Sequence, residues 1–123
     1  MKALSASALV ACGGALGALM RFWLSVGLDA YAGTHLPFAT FTANVVGSFL
    51  IGVFSVVLGG QFASVAFLMT GVLGGFTTFS SFSLETVRML ADGRMVTALA
   101  YAGASVVFCL AAAAFGIFVA RAA

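Results

Sequence analysis

The chain has 123 residues, of which 63% are hydrophobic and only 7% are charged, and its net charge is +2. Soluble domains devote about a quarter of their residues to charge, so this composition excludes a soluble protein. The small net charge, without a basic cluster, also excludes nucleic acid as a partner. The composition predicts a protein embedded in the lipid bilayer.

Four apolar segments are each long enough to cross a bilayer, which takes about 20 helical residues. They cover about residues 3–28, 40–58, 65–90 and 96–120, with short loops between them. We therefore predict an all-α membrane protein in which residues 1–123 form one domain of four transmembrane helices. The first segment exceeds the roughly 7–15 apolar residues of a signal peptide, and we interpret it as a retained span.

The first segment carries a face of small residues. Gly13 and Gly17 are four residues apart, and such pairs let two helices approach closely in lipid. Arg21 follows one turn later. Its charge either reaches the lipid headgroups or points into a polar vestibule, and the spacing leaves both interpretations open.

The second segment begins with Thr40 and carries Asn44 one turn later, on the same face. A buried asparagine in a spanning helix is costly unless it has partners. Two interpretations are equally supported: Asn44 hydrogen-bonds a neighbouring helix, or its amide N–H₂ faces an anion in a pore.

The third segment contains an unusual stretch at residues 71–85, with the sequence GVLGGFTTFSSFSLE. Glycines lower helix propensity, and hydroxyls bond back to carbonyls and bend a helix. The stretch therefore predicts a break near residues 74–78. A break at membrane depth is tolerated where protein or a polar cavity satisfies the freed backbone groups, and broken helices commonly build ion sites.

The phenylalanines of the same stretch allow two interpretations. Phe76, Phe79 and Phe82 recur every third residue and share a face where the chain is helical. They either pack against lipid and core, or use their electropositive ring edges to coordinate a small anion. Glu85 and Arg88 have the spacing of an ion pair near the membrane edge.

The fourth segment carries one mildly polar stripe, formed by Tyr101, Ser105 and Cys109 at intervals of four residues. Tyr101 and Ser105 either line a pathway or hydrogen-bond a neighbouring helix.

The distribution of basic residues fixes no orientation in the membrane. With four spans, Lys2 and Arg121 mark one side, and Arg21, Arg88 and Arg94 mark the other. So weak a bias allows insertion in both directions. Pairing with an oppositely oriented copy would create the symmetry that many transporters obtain from inverted repeats, which predicts an antiparallel homodimer.

Three motifs together resemble those of the Fluc (CrcB) family of fluoride channels. They are GxxGGFTTFSSFSLE at residues 71–85, Thr40-x-x-x-Asn44 followed by Gly47, and Gly17-x-x-x-Arg21. The resemblance covers essentially the whole chain. It implies a dual-topology antiparallel homodimer in the cell (inner) membrane, which exports fluoride passively through two pathways and relieves fluoride toxicity.

The resemblance also implies roles for individual residues. The ring edges of Phe79 and Phe82 and the amide of Asn44 would contact fluoride. The backbone carbonyls of Gly74 and Thr77 would bind a structural sodium ion at the dimer interface. The rest of the expected fluoride pathway consists of Arg21, Thr40, Ser80, Ser81, Glu85, Tyr101 and Ser105.

Two other functions compete with the channel. A proton-coupled small multidrug transporter has a similar size, but it needs a titratable carboxylate in the membrane interior, and Glu85 lies near the end of its segment. A non-transporting assembly subunit would leave the hydroxyl cluster and the phenylalanines unexplained. We expect no enzyme, because no Ser/His, Cys/His or paired-carboxylate set is apparent and His35 lies in a loop.

Overall fold

The structure is a computed structural model that describes residues 2–32 and 36–123, so His35 lies outside the described residues. Within these ranges all regular secondary structure is helical. The elements are α1 (Lys2–Ala32), α2 (Phe38–Val57), α3 (Phe62–Ser64), a π-helix (Val65–Leu73), α4 (Gly74–Phe76), α5 (Phe79–Ala91) and α6 (Met95–Ala122).

The elements from α3 to α5 follow one another along a single run. Four runs in the described part of the chain are long and apolar enough to cross a membrane: Lys2–Tyr31, Phe38–Val57, Phe62–Ala91 and Met95–Ala122. The prediction of an all-α protein with four spans is therefore confirmed. We call residues 62–76 the first half of the third span and α5 its second half.

The first half of the third span packs directly on α1. Gly17 and Gly71 are both buried at this contact. A Cβ atom on Gly17 would lie 2.8 Å from the backbone nitrogen of Phe76, and one on Gly71 would lie 2.9 Å from the Cα of Gly13. Side chains cannot be this close to backbone, so the predicted small-residue face of α1 is the surface that contacts the third span.

The second large contact joins α2 and α6. Gly52 and Gly116 face the opposite backbone, where a Cβ on either would lie 3.1 Å from a backbone nitrogen. Many large apolar side chains are instead exposed, including Trp23 at 65% and Val96 at 83%. Small residues inside and large apolar residues outside suit a bundle whose outer surface meets lipid.

The third span departs from α-helical conformation twice along its length. The π-helix, with hydrogen bonds between residues five apart, leads into α4. Thr77 (φ −80°, ψ 156°) and Thr78 (φ −152°, ψ 118°) then adopt extended conformations. Thr78 caps α5, because its Oγ1 accepts a hydrogen bond from the backbone N–H of Ser81 at 3.1 Å. We call Thr77 and Thr78 the interruption.

Candidate functional site

Asn44 of α2 pairs with both backbone polar groups of Thr78. The N–H of Thr78 donates to Asn44 Oδ1 at 2.7 Å, and Asn44 Nδ2 donates to the carbonyl of Thr78 at 3.0 Å. The pair of bonds fixes the amide orientation, because a backbone N–H can only donate. Of the two N–H groups on Nδ2, this pairing uses one. Asn44 therefore joins two spans and retains one donor.

The neighbouring residues fill the space beside this pair. The backbone N–H and the Oγ1 of Thr77 both donate to the carbonyl of Leu73, at 2.9 and 2.8 Å. Gly47 of α2 lies against the methyl group of Thr77, where a Cβ would collide with it. The glycine that follows Asn44 in the motif thus makes room for the interruption.

Arg21 of α1 contacts the end of the first half of the third span, two residues before the interruption. Its side chain is half-buried, and its Nε donates to the backbone carbonyl of Gly75 at 3.2 Å. The hydrogen bond is to the protein backbone, and the two alternatives for the charge of Arg21, lipid headgroups or a polar vestibule, both stay predictions.

Three helices meet at the carboxyl group of Glu85. Thr40 Oγ1 of α2 donates to its Oε1 at 2.6 Å, and the Tyr101 hydroxyl of α6 donates to its Oε2 at 2.8 Å. Thr40 is buried, with 7% of its surface exposed. Both oxygens of Glu85 are thus engaged by neighbouring spans, which favours this network over the alternative of an ion pair with Arg88.

A row of rings leads towards this carboxyl group. The centroids of Phe79 and Phe82 are 5.3 Å apart, and those of Phe82 and Tyr101 are 5.4 Å apart. Phe79 is 77% exposed, whereas Phe76 is only 7% exposed. The interruption separates Phe76 from the other two phenylalanines, so Phe76 belongs to the core and the row continues through Tyr101.

A cavity of about 420 Å³ lies beside the interruption. It is lined by six of the predicted site residues, namely Asn44, Gly74, Thr77, Phe79, Phe82 and Ser105. Ser105 is buried, and its hydroxyl has no hydrogen-bond partner among the described residues. No charged side chain is among the described residues that line the cavity.

The other predicted site residues are not among the described residues that line this cavity. The hydroxyl of Ser80 is 3.2 Å from that of Thr78, and Ser81 is half-buried in the first turn of α5. Glu85 borders a second cavity of about 700 Å³, together with Arg88, Asp92 and Arg94. The predicted residues thus form a cavity group and a Glu85 group, whereas Arg21 is among the described lining residues of neither cavity and bonds to Gly75.

Comparison with known proteins decides the family. Residues 8–117 match the family model described as CrcB-like protein, Camphor Resistance (CrcB). The chain belongs to the CrcB family.

Similar CrcB-family proteins carry the name Fluoride-specific ion channel FluC. One from Cereibacter sphaeroides is 49% identical, and the match covers 91% of each chain. One from Rhodospirillum centenum is 50% identical over 78% of this chain and 79% of that protein. One from Methylococcus capsulatus is 45% identical over 91% of this chain, which spans only 51% of that protein's length. Four spans and membership of a channel family make this chain a multi-pass membrane protein rather than an enzyme.

Two contacts of this CrcB-family chain went beyond the sequence predictions. The double pairing of Asn44 with Thr78 has no signal in residue spacing. The contact of Arg21 with Gly75 has one, because Gly13, Gly17 and Arg21 follow one another at intervals of four and therefore share one face of α1. A residue that continues the face formed by two packed glycines is expected to contact the same neighbouring span.

Proposed function

We propose that this chain is the subunit of a fluoride-selective channel that exports fluoride passively and relieves fluoride toxicity. The observation that carries the proposal is the uncharged cavity beside the interruption, lined by Asn44, Phe79, Phe82 and Ser105. The name shared by relatives 40–50% identical to the chain supports it. Neither the multidrug transporter nor the assembly subunit has such support.

The chemistry of the cavity suits a small, strongly hydrated anion. Fluoride can enter only if protein donors replace its water. The second N–H of Asn44 and the electropositive ring edges of Phe79 and Phe82 are such donors. All are uncharged, so they bind weakly enough to release the ion, which conduction requires.

We further propose that the interruption acts as a helix break in an antiparallel, dual-topology homodimer in the cell (inner) membrane. The exposure of Phe79, at 77%, supports a partner copy that covers the cavity and completes two pathways. Export from the cytoplasm requires the membrane that bounds it. Reporter fusions should place C-termini on both sides of the membrane, and C-termini on one side only would contradict the antiparallel dimer.

A structural sodium ion at the dimer interface would be held by the backbone carbonyls of Gly74 and Thr77. In a continuous helix the carbonyl of Gly74 would accept from the N–H of Thr78, but that N–H donates to Asn44. Carbonyl oxygens are suitable ligands for a hard cation, so these residues fit the ion. When bound, sodium would satisfy carbonyls that the break leaves open.

Fluoride efflux from liposomes tests the function directly. Purified protein is reconstituted with fluoride and chloride inside, and a potassium ionophore balances the charge. We expect fluoride efflux with chloride retained, and no efflux without the ionophore, because conduction is electrogenic. Absence of fluoride efflux from folded, dimeric protein would overturn the proposal.

A further inference from the structure

Arg21 lies in line with the glycines of α1. Gly13 and Gly17 are buried against the first half of the third span, and Arg21 is the next residue on the same face. Its half-buried side chain therefore starts on the contact surface between two spans. Because Arg21 lies one turn beyond Gly17 along α1, its side chain reaches the end of the first half of the third span. There its Nε lies 3.2 Å from the carbonyl oxygen of Gly75.

The interruption deprives this carbonyl of its helical partner. In a continuous α-helix the carbonyl of Gly75 would accept from the N–H of Phe79. Here Thr77 and Thr78 are extended, and Phe79 begins a new helix. An unpaired carbonyl at membrane depth is unfavourable, and Arg21 supplies the missing donor.

The donor is well matched to this position. Hydrogen bonds from a guanidinium group are stronger than those between neutral groups. A positive charge at the carboxyl end of a helical segment also interacts favourably with the helix dipole. The bond further ties α1 to the third span beyond the last glycine contact.

We propose that Arg21 is a positioning residue, which caps the first half of the third span through the carbonyl of Gly75 and thereby sets the geometry of the interruption. Asn44 holds the other side through Thr78. The peptide groups between these two anchors, which include the carbonyl of Thr77, are thus fixed from α1 and from α2. The consequence for flux rests on the fluoride pathway proposed above.

Two substitutions separate the hydrogen bond from the charge. Gln and Arg carry a nitrogen donor the same number of bonds from Cα, so Arg21→Gln keeps a donor at the position of Nε without the charge. Arg21→Met removes both. Arg88→Met is the control, because Arg88 is exposed, lies on the same predicted side of the membrane and loses the same charge.

Amide hydrogen exchange of residues 74–79, read by mass spectrometry, measures the geometry without depending on fluoride. We expect exchange there to be about tenfold faster in Arg21→Met than in the unaltered protein, since a lost hydrogen bond loosens the segment. Arg21→Gln should fall between the two, and Arg88→Met should match the unaltered protein. Initial fluoride efflux should follow the same order, with Arg21→Gln well above Arg21→Met.

The exchange measurement and the efflux measurement can each contradict the proposal in a different way. Equal exchange in all four proteins would overturn the proposal. Equal loss of efflux in Arg21→Gln and Arg21→Met, with exchange unaltered, would overturn it in favour of a charge that attracts the anion. If the unaltered protein passes no fluoride, the proposed function fails, and the exchange measurement alone decides the role of Arg21.

Discussion

The two halves of the third span are built on opposite principles. The first half meets α1 through glycines, with backbone against backbone, and its Leu73 and Phe76 are buried. The second half, α5, meets α2 and α6 through hydroxyl and carboxyl groups, and it leaves Phe79 exposed beside a cavity. One half depends on close contact between main chains, and the other on directed hydrogen bonds between side chains.

The difference indicates that the two halves of the third span have different roles. Sites hold their geometry best when they rest on rigid elements. The first half packs on the glycine face of α1, where no larger residue fits. The second half follows it and carries the hydrogen-bond donors and aromatic rings. Substitutions in the first half should therefore change stability first, and those in the second half should change transport first.

The largest expected effect is a loss of transport, caused by substitutions in the second half of the third span. Phe79→Ile or Phe82→Ile should abolish fluoride efflux, because an aliphatic side chain has no electropositive ring edge, while the fold remains. Phe62→Ile is the control, since Phe62 is an exposed phenylalanine of the first half and should leave efflux unchanged. Efflux at the original rate in both second-half variants would refute the role of the rings.

The next largest effect is a loss of stability, caused by substitutions at the contact between α1 and the first half of the third span. Gly17→Ala should lower the free energy of unfolding by about 3 kcal/mol, since the new Cβ meets fixed backbone. Gly27→Ala is the control in the same helix, because nothing lies within 4 Å of its Cβ. Thermal unfolding in detergent compares them. Equal midpoints for the two variants would show that the glycine contact is unimportant.

Asn44 of α2 bonds to the interruption, where the two halves of the third span meet. Its substitution should therefore affect both stability and transport. Asn44→Ala should cost about 2 kcal/mol of stability, because both polar groups of Thr78 lose their partner. Asn44→Asp still accepts from the N–H of Thr78, so it should be more stable than the alanine variant but block fluoride with its carboxylate. If the aspartate variant conducts normally, Asn44 only supports the backbone.

The smallest expected effect comes from the Glu85 network. Thr40→Val and Tyr101→Phe should each cost about 1 kcal/mol of stability. The double variant should depart from additivity, since both hydroxyls donate to one carboxyl group. Thr86→Val is the control, because among the described residues the hydroxyl of Thr86 bonds to a carbonyl of its own helix. Strict additivity of the double variant would indicate that the two bonds are independent.

The sequence predicted the number of spans and the close contact of Gly13 and Gly17, because apolar length and residue size are local properties. It did not predict which span those glycines meet, since the pairing with Gly71 joins residues distant in the chain. For Asn44 it left two interpretations, and the structure supplies a pairing that accounts for part of the amide. The roles of Phe79, Phe82, Gly74 and Thr77 towards ions stay predictions.

The π-helix at Val65–Leu73 indicates where the chain can change in length. Each hydrogen-bonded ring in it encloses one residue more than a ring of an α-helix. Loss of one residue here can be absorbed by a return to α-helical bonding, which leaves the following residues in phase. The same deletion within α6 would turn every later side chain by about 100° around the helix axis. Natural length variation within a spanning segment of this fold is therefore best accommodated in these nine residues.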